Sequence, residues 1–173
     1  MGNKMYLAIR RATDDDTDKV LKVTKESFSL YQEELHVSYE VKALKETIET
    51  TLHDIRDNAV FVVERFGELV GAIRIKKLSD DLWYIYRFGV SPKISNSGLG
   101  SALLDAAINY ARENGAKALA LHTNAKYYRL ARYYYGKQFF VHSTTFDRGY
   151  VRALFVLELE NGVGVDLSPA FLQ

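Results

Sequence analysis

The stretch Tyr84–Ala107, YIYRFGVSPKISNSGLGSALLDAA, decides how the rest of the chain is read. It begins as a buried strand ending at Val90. A polar loop rich in Ser and Gly follows, and an amphipathic helix opens at Gly98-Leu99-Gly100. On that helix, about 98–113, Leu99, Ala102, Leu103, Ala106, Ala107 and Tyr110 share one face. Ser101, Asp105, Asn109 and Arg112 share the other. The N–H groups of a first helical turn have no intrahelical acceptor, and the helix dipole adds partial positive charge there. Gly98 and Gly100 carry no Cβ, so the backbone is open to a bulky anion such as a phosphate. The stretch is therefore an expected anion site between a strand and a helix.

Working toward the N-terminus, Leu82–Val90 is the third strand of a meander. Ala59–Glu64 and Leu69–Ile75 form the hairpin before it, with a turn at Arg65-Phe66-Gly67-Glu68. Gly89 marks a candidate bulge or splay near the strand end. Val41, Leu44, Ile48, Leu52 and Ile55 lie at helical spacing, which predicts a helix to about Arg56. Residues 30–39 are less periodic and read as a loop or broken helix. Residues 14–29 read as a helix capped at Thr13 with acidic first-turn residues, and 5–11 as a first strand. Toward the C-terminus, Gly115 stops the long helix and Lys117–His122 is a strand. Because a crossover helix precedes it, it should run parallel to Leu82–Val90. Residues 125–135 form a helix, with Tyr127, Leu130, Ala131 and Tyr134 on one stripe. Phe139–Phe146 and Tyr150–Glu160 are strands joined across Asp147-Arg148-Gly149, and 161–173 has no clear element. The fold class is mixed α/β (α+β) in a single domain over 1–160 with a C-terminal tail, 161–173.

Bulk properties narrow the function. The 173 residues carry 23 basic against 22 acidic side chains, so no charge excess recommends a nucleic-acid partner. The chain has no Cys, which excludes a disulfide framework, a thiolate metal site and a Cys nucleophile. No apolar run approaches the ~20 residues of a membrane span, and the start lacks a signal-peptide core, so a cytoplasmic protein with no membrane partner is expected. A nucleotide P-loop needs Gly-Lys-Ser/Thr, whereas this loop reads Gly100-Ser101-Ala102. A dinucleotide fold places its glycine loop after the first strand, and here it follows four.

With those residues in view, the chain resembles the GNAT superfamily of acyl-CoA-dependent N-acyltransferases. The likeness covers the element order from about 5 to 160. It is densest at Val90-Ser91-Pro92 and Gly98-Leu99-Gly100-Ser101-Ala102-Leu103-Leu104, which resemble the family's acyl-CoA pyrophosphate loop. Ser95 stands where the family usually carries Gln or Arg, and Asn96 where Gly is common. A second match, Ala131-Arg132-Tyr133-Tyr134-Tyr135-Gly136-Lys137-Gln138-Phe139-Phe140, is similar to the family's Ala-x-x-x-Tyr-x-x-x-Gly-Phe segment. Phe139 there replaces the usual Gly. The resemblance implies a central, mostly antiparallel mixed sheet with one splayed parallel strand pair and helices on both faces. It implies acetyl-CoA as co-substrate, with no metal, bound by Phe88, Val90, Ser95, Asn96, Ser97, Gly98, Leu99, Gly100 and Ser101. Lys93, Lys126, Arg129, Arg132 and Lys137 flank these motifs as candidate partners of the CoA phosphates. It makes Tyr135 the general acid for the leaving thiolate, or Tyr134 if the register slips by one.

Transfer of an acyl group from a thioester to an amine needs a neutral amine, a polarised carbonyl and a proton for the departing sulfur. The resemblance implies that Phe88 and Val90 pair with the donor through backbone and that an N–H near Val90 polarises the carbonyl. Many relatives carry a Glu on this strand where the chain has Tyr84 and Tyr86, and a phenol near its reference pKa of ~10 is a poor base. Candidate bases are Glu33, Glu34, His36 and His122, with His122 at the end of the parallel strand. A water chain without a single base is the alternative. Tyr31, Glu33 and Glu34 are candidate contacts for a cationic amine acceptor. The leading reading is an N-acetyltransferase acting on a primary amine of a small molecule or a peptide. The alternatives are a catalytically silent acyl-CoA-binding module and a pure interaction domain. Self-association is common in that family, so a homodimer is an implied state in which the tail 161–173 is a candidate participant.

Overall fold

The structure is a computed structural model that describes residues 7–36, 38–94 and 96–173. Seven strands form one sheet in the order β1-β2-β3-β4-β5-β7-β6. They are β1 (Leu7–Arg11), β2 (Ala59–Arg65), β3 (Glu68–Lys77), β4 (Leu82–Val90), β5 (Ala118–Asn124), β6 (Phe140–Thr145) and β7 (Arg152–Glu158). The helices are α1 (Thr17–Leu35), α2 (Ile48–Asp57), α3 (Leu99–Glu113), α4 (Tyr128–Gly136) and α5 (Ser168–Phe171). β4 and β5 pair in parallel, as the crossover through α3 requires, whereas β1–β2, β2–β3, β5–β7 and β6–β7 are antiparallel. The mixed, mostly antiparallel sheet is the expected fold class. The β4–β5 register runs from Leu82↔Ala118 to Tyr84↔Ala120, while β4 continues to Val90 and β5 to Asn124.

The chain divides into two compact units, Met1–Ile75 with Arg87–Ile108, and Lys76–Tyr86 with Asn109–Gln173. In the first unit, alternate strand residues Val60, Val62 and Ala72 pack with Val20 and Val23 of α1 and Ile55 of α2. Arg10 of β1 reaches Asp16 at 2.7 and 2.9 Å and Glu64 at 2.7 Å. Asp16 also accepts from the Thr13 N–H at 2.8 Å, and Thr13 opens a 3-10 turn, Asp14–Asp16, rather than α1 itself, which begins at Thr17. These donors hold the Asp16 carboxyl far below the usual carboxylate range, with the Arg10 hydrogen bond the largest cause. In the second unit, Leu82 and Tyr84, Ala118 and Ala120, Leu154 and Val156 form one apolar face, and Ala170 is buried on it. Residues of opposite parity face α3 and α4: Trp83 meets Tyr110 edge-on, and Phe155 meets Tyr134. Helices therefore cover both faces of these strands.

Four local expectations change. Residues 30–35 continue α1, where Gln32, Glu33 and Glu34 are good helix formers. The helix stops at His36, whose φ of 47° turns the chain left-handed. The segment 41–56 is divided: a 3-10 turn covers Lys42–Lys45, and α2 starts after Thr47, whose hydroxyl accepts the Thr50 N–H at 3.2 Å. Helix α4 starts three residues later than predicted. The Ala125 N–H is still bonded to Val151 O, and Asn124 Oδ1 takes the Lys126 N–H. Residues 161–173 include α5, with Val165 and Leu167 packed against the core beside Ala170. The predicted start of the first strand at residue 5 lies outside the described residues.

Candidate active site

The residues that the sequence singles out for the chemistry fall into two sets, each within one unit. In the first unit, β4 leads through a 3-10 turn at Pro92–Ile94 to α3. Asn96 and Gly98 have φ of 62° and 79°. Asn is the non-glycine residue that tolerates this region best, so Asn96 replaces the usual Gly without changing what the backbone can do. Successive amides in such a loop form a concave donor surface for anions. Among the described residues, a Cβ on Gly98 would meet nothing within 4 Å. On Gly100 it would meet only Phe88 Cζ and Val90 Cγ1, both at 3.8 Å. The two glycines thus leave open space above the start of a 15-residue helix, lined by Phe88 and Val90. That arrangement fits a pyrophosphate held by backbone N–H groups. The Ser97 hydroxyl accepts the Leu99 N–H at 3.4 Å, and Leu99 is buried, so both shape the turn. Ser101 lies in the first turn of α3 and is half-buried. Ser95 lies outside the described residues.

The distortion in β4 is at Arg87, whose φ is 49°, and not at Gly89 as the sequence suggested. A non-glycine residue held left-handed inside a strand is strained, and such strain concentrates at functional sites. Gly89 has a different role. A Cβ there would stand 2.6 Å from Ser27 Cβ and closer still to Ser27 Oγ, so its missing side chain lets α1 lie directly on β4. Sequence reasoning also missed Arg74, Glu46 and Asp54. With Arg87 they form an ion cluster around the buried Arg74 that is widely spaced in sequence and has no motif.

Tyr31, Glu33 and Glu34 belong to the last two turns of α1, with both glutamates exposed. The Tyr31 and Tyr39 hydroxyls are 3.4 Å apart. His36 is the exposed helix cap.

In the second unit, Tyr134 is buried, and its ring meets Phe139 and Phe155 at 5.6 and 5.5 Å. Burial pushes its phenol pKa well up. Tyr135 is 56% exposed, with its ring edge against Phe155. Of the two register candidates, Tyr134 is therefore a core residue and Tyr135 is the accessible phenol. The Tyr84 hydroxyl and His122 Nδ1 are 2.7 Å apart. Burial first, then Arg152 and Arg148, lowers His122 to about 4. It is neutral at pH 7 and too weak a base to deprotonate an alkylammonium. Lys76 Nζ lies over the Tyr84 and Tyr86 rings at 5.7 and 5.1 Å. Lys93, Lys126, Arg129 and Arg132 are exposed and Lys137 is half-buried. No group of three or more His, Cys, Asp or Glu suited to a metal occurs among the described residues. None of the described helices is long and apolar enough to cross a membrane.

The model of the acetyltransferase (GNAT) family matches residues 24–140, which takes in α1 from Thr24 onward, the meander, the glycine loop and the tyrosine run. The chain belongs to the GNAT family. Among its relatives is the mycothiol acetyltransferase of Propionibacterium freudenreichii subsp. shermanii, 32% identical over 145 residues. That match takes in 81% of this GNAT chain and spans 44% of the relative's length. Among solved structures, the PaiA N-acetyltransferase of Thermoplasma acidophilum in complex with coenzyme A superposes with a TM-score of 0.76 at 18% identity. It covers 89% of this chain and 99% of that one. YncA of Salmonella typhimurium, solved with its cofactor acetyl-CoA, gives 0.74 at 18% identity over 92% and 98% of the two chains. At such identities the two structures establish the GNAT fold.

Proposed function

We propose that this GNAT chain is an N-acetyltransferase that moves an acetyl group from acetyl-CoA to a primary amine of a small molecule or peptide. The observation that carries the reading is the cradle at the N-terminus of α3. Left-handed Asn96 and Gly98 shape the loop, and the space above Gly98 and Gly100 is bounded by Phe88 and Val90. In this reading the loop amides hold the pyrophosphate. Ser97, Leu99 and Ser101 shape the first turn of α3, and the backbone of Phe88 and Val90 receives the pantetheine arm. Acetyl-CoA supplies the thioester carbonyl. The amine nitrogen forms the new N–C bond as the C–S bond breaks. Tyr135 gives its phenolic proton to the departing sulfur and recovers one from solvent. Tyr31, Glu33 and Glu34 are the proposed acceptor contacts. His122 orients Tyr84, and the amine proton leaves to water.

The test is release of free thiol from acetyl-CoA across a panel of polyamines, amino sugars and peptide N-termini. Amine-dependent release is expected. The second reading, a silent acyl-CoA-binding module, is favoured by the weak basicity of His122 and by Tyr84 and Tyr86 on the strand. Calorimetric binding of CoA with no release on any amine would replace the first reading by the second.

A further inference from the structure

The ion cluster of the first unit has no role in the chemistry above. Arg74 of β3 is fully buried. Its Nη1 donates to Asp54 Oδ2 at 2.6 Å and to Glu46 Oε1 at 3.1 Å. Its Nη2 donates to Glu46 Oε2 at 2.7 Å and to Thr24 Oγ1 at 3.4 Å. Glu46 Oε1 also accepts from Arg87 Nε at 2.5 Å. A single carboxylate therefore joins a buried arginine to the one left-handed residue of β4. Glu46 itself is fixed on both sides, by the 3-10 turn ending at Lys45 and by the Thr47 cap of α2.

Buried ion clusters contribute little stability compared with a well-packed apolar core. What such a cluster does offer is direction, because a bidentate guanidinium fixes the plane of its carboxylate. The Arg87 backbone, in contrast, has a reason to relax. An L-residue at φ 49° has its Cβ too close to its own carbonyl oxygen. The side chain that could swing away on relaxation is the one Glu46 grips.

We propose that Glu46, oriented by Arg74 and Asp54, is a positioning residue that keeps Arg87 left-handed. It thereby sets the direction of the Phe88–Val90 backbone toward the acyl donor. The proposal rests on the acetyl-transfer reading, in which that backbone receives the donor. It adds a clamp made by side chains of α2, β3 and the segment before α2.

The decisive pair is Arg87→Ala and Arg87→Gly. Both remove the grip of Glu46 and both leave the Arg74–Glu46–Asp54 contacts in place. Alanine keeps the steric cause of relaxation, and glycine removes it. Arg87→Ala is expected to lower kcat about tenfold. Binding of CoA, which depends on the separate loop amides, should weaken far less. Arg87→Gly should recover most of that kcat. Glu46→Gln should behave like Arg87→Ala, and adding it to Arg87→Gly should cost little more. Equal kcat for Arg87→Ala and Arg87→Gly, or wild-type kcat for Arg87→Ala, overturns the proposal.

A readout independent of turnover is amide hydrogen exchange and the 1H–15N resonances of Phe88 and Val90. Arg87→Ala and Glu46→Gln should shift these resonances and speed exchange, and Arg87→Gly should do so much less. Unmoved amides overturn the clamp even in an active enzyme. Wild-type protein that releases no thiol with any amine overturns the acetyl-transfer reading, and the amide arm still decides the clamp.

Discussion

Replacing Gly89 by Ala tests how closely α1 is applied to β4. An ideal Cβ at Gly89 stands 2.6 Å from Ser27 Cβ, and Phe28 Cε2 is at 4.0 Å. Carbon atoms settle at about 3.5–4.0 Å, so α1 and β4 must separate by about 1 Å. Overpacking of this kind typically destabilises by about 1–3 kcal/mol. Alanine also restricts the unfolded chain, which returns about 0.4–1 kcal/mol. The net expectation is a loss of about 1–2 kcal/mol, read as a fall of roughly 2–4 °C in Tm per kcal/mol for a chain of this size. Urea denaturation of four variants checks it. Ser27→Ala should be nearly neutral, because only an Oγ bonded to Thr24 O at 3.1 Å is lost. Ser27→Ala with Gly89→Ala should recover little, because the Cβ–Cβ clash remains. Ser27→Gly with Gly89→Ala should recover the clash, less the helix penalty of about 1 kcal/mol for glycine. A Gly89→Ala protein within 0.5 kcal/mol of wild type would mean that α1 slides at no cost. The close-approach argument would then fail.

Three further outcomes are expected. Tyr135→Phe should lower kcat by about 10²-fold or more with little change in Tm, since the ring is mostly exposed, whereas Tyr134→Phe should leave kcat unchanged; steady-state thiol release separates them. Gly100→Ala adds a methyl group that the protein accommodates at 3.8 Å, so Tm should hold or rise while CoA affinity falls about tenfold by calorimetry. For His122, the folded value of about 4 lies below the ordinary 6.5, so between those values the unfolded chain binds more protons. Stability is full above about pH 6.5 and declines toward pH 4, by about 1–2 kcal/mol after allowing for partial exposure. His122→Gln should flatten that part of the urea-derived stability profile.

The glycine loop at the start of α3 was legible in the sequence because it is local. A strand, two glycines two residues apart and an amphipathic helix suffice to place amides at a helix start. The burial of Tyr134 was legible too, because the helical stripe of Tyr127, Leu130 and Ala131 assigns it to the core. The clamp was not. Glu46, Arg74 and Arg87 are brought together by sheet pairing and helix docking, and an isolated charged residue in each segment reads as surface. Arg74 in particular is fully buried in a strand where Ile73 and Ile75 carry the pattern. The strain at Arg87 was invisible for another reason: no residue type advertises a left-handed arginine, and Gly89 drew the inference two positions downstream. The end of α1 was misjudged because Gln32, Glu33 and Glu34 support a helix by propensity without leaving an apolar period.

The division of the chain into two units, each built from two separated segments, bears on how the protein is made. Ribosomal synthesis delivers α1, α2, β1, β2 and most of β3 by Ile75, yet the unit they belong to is complete only when Arg87–Ile108 follows. Until then Arg74 and Glu46 are present without Arg87, and the nascent chain holds a charged cluster one partner short. The second unit waits longer still, because Leu82 and Tyr84 emerge about 70 residues before Leu154 and Val156, and longer before Ala170, which bury them. Such long-range closure slows folding and leaves apolar strands exposed in the interval. Truncations that stop between Ile75 and Arg87 should therefore be captured by chaperones and proteases during translation. Pulse-chase survival of a nested set of C-terminal truncations would show the step at which the first unit closes.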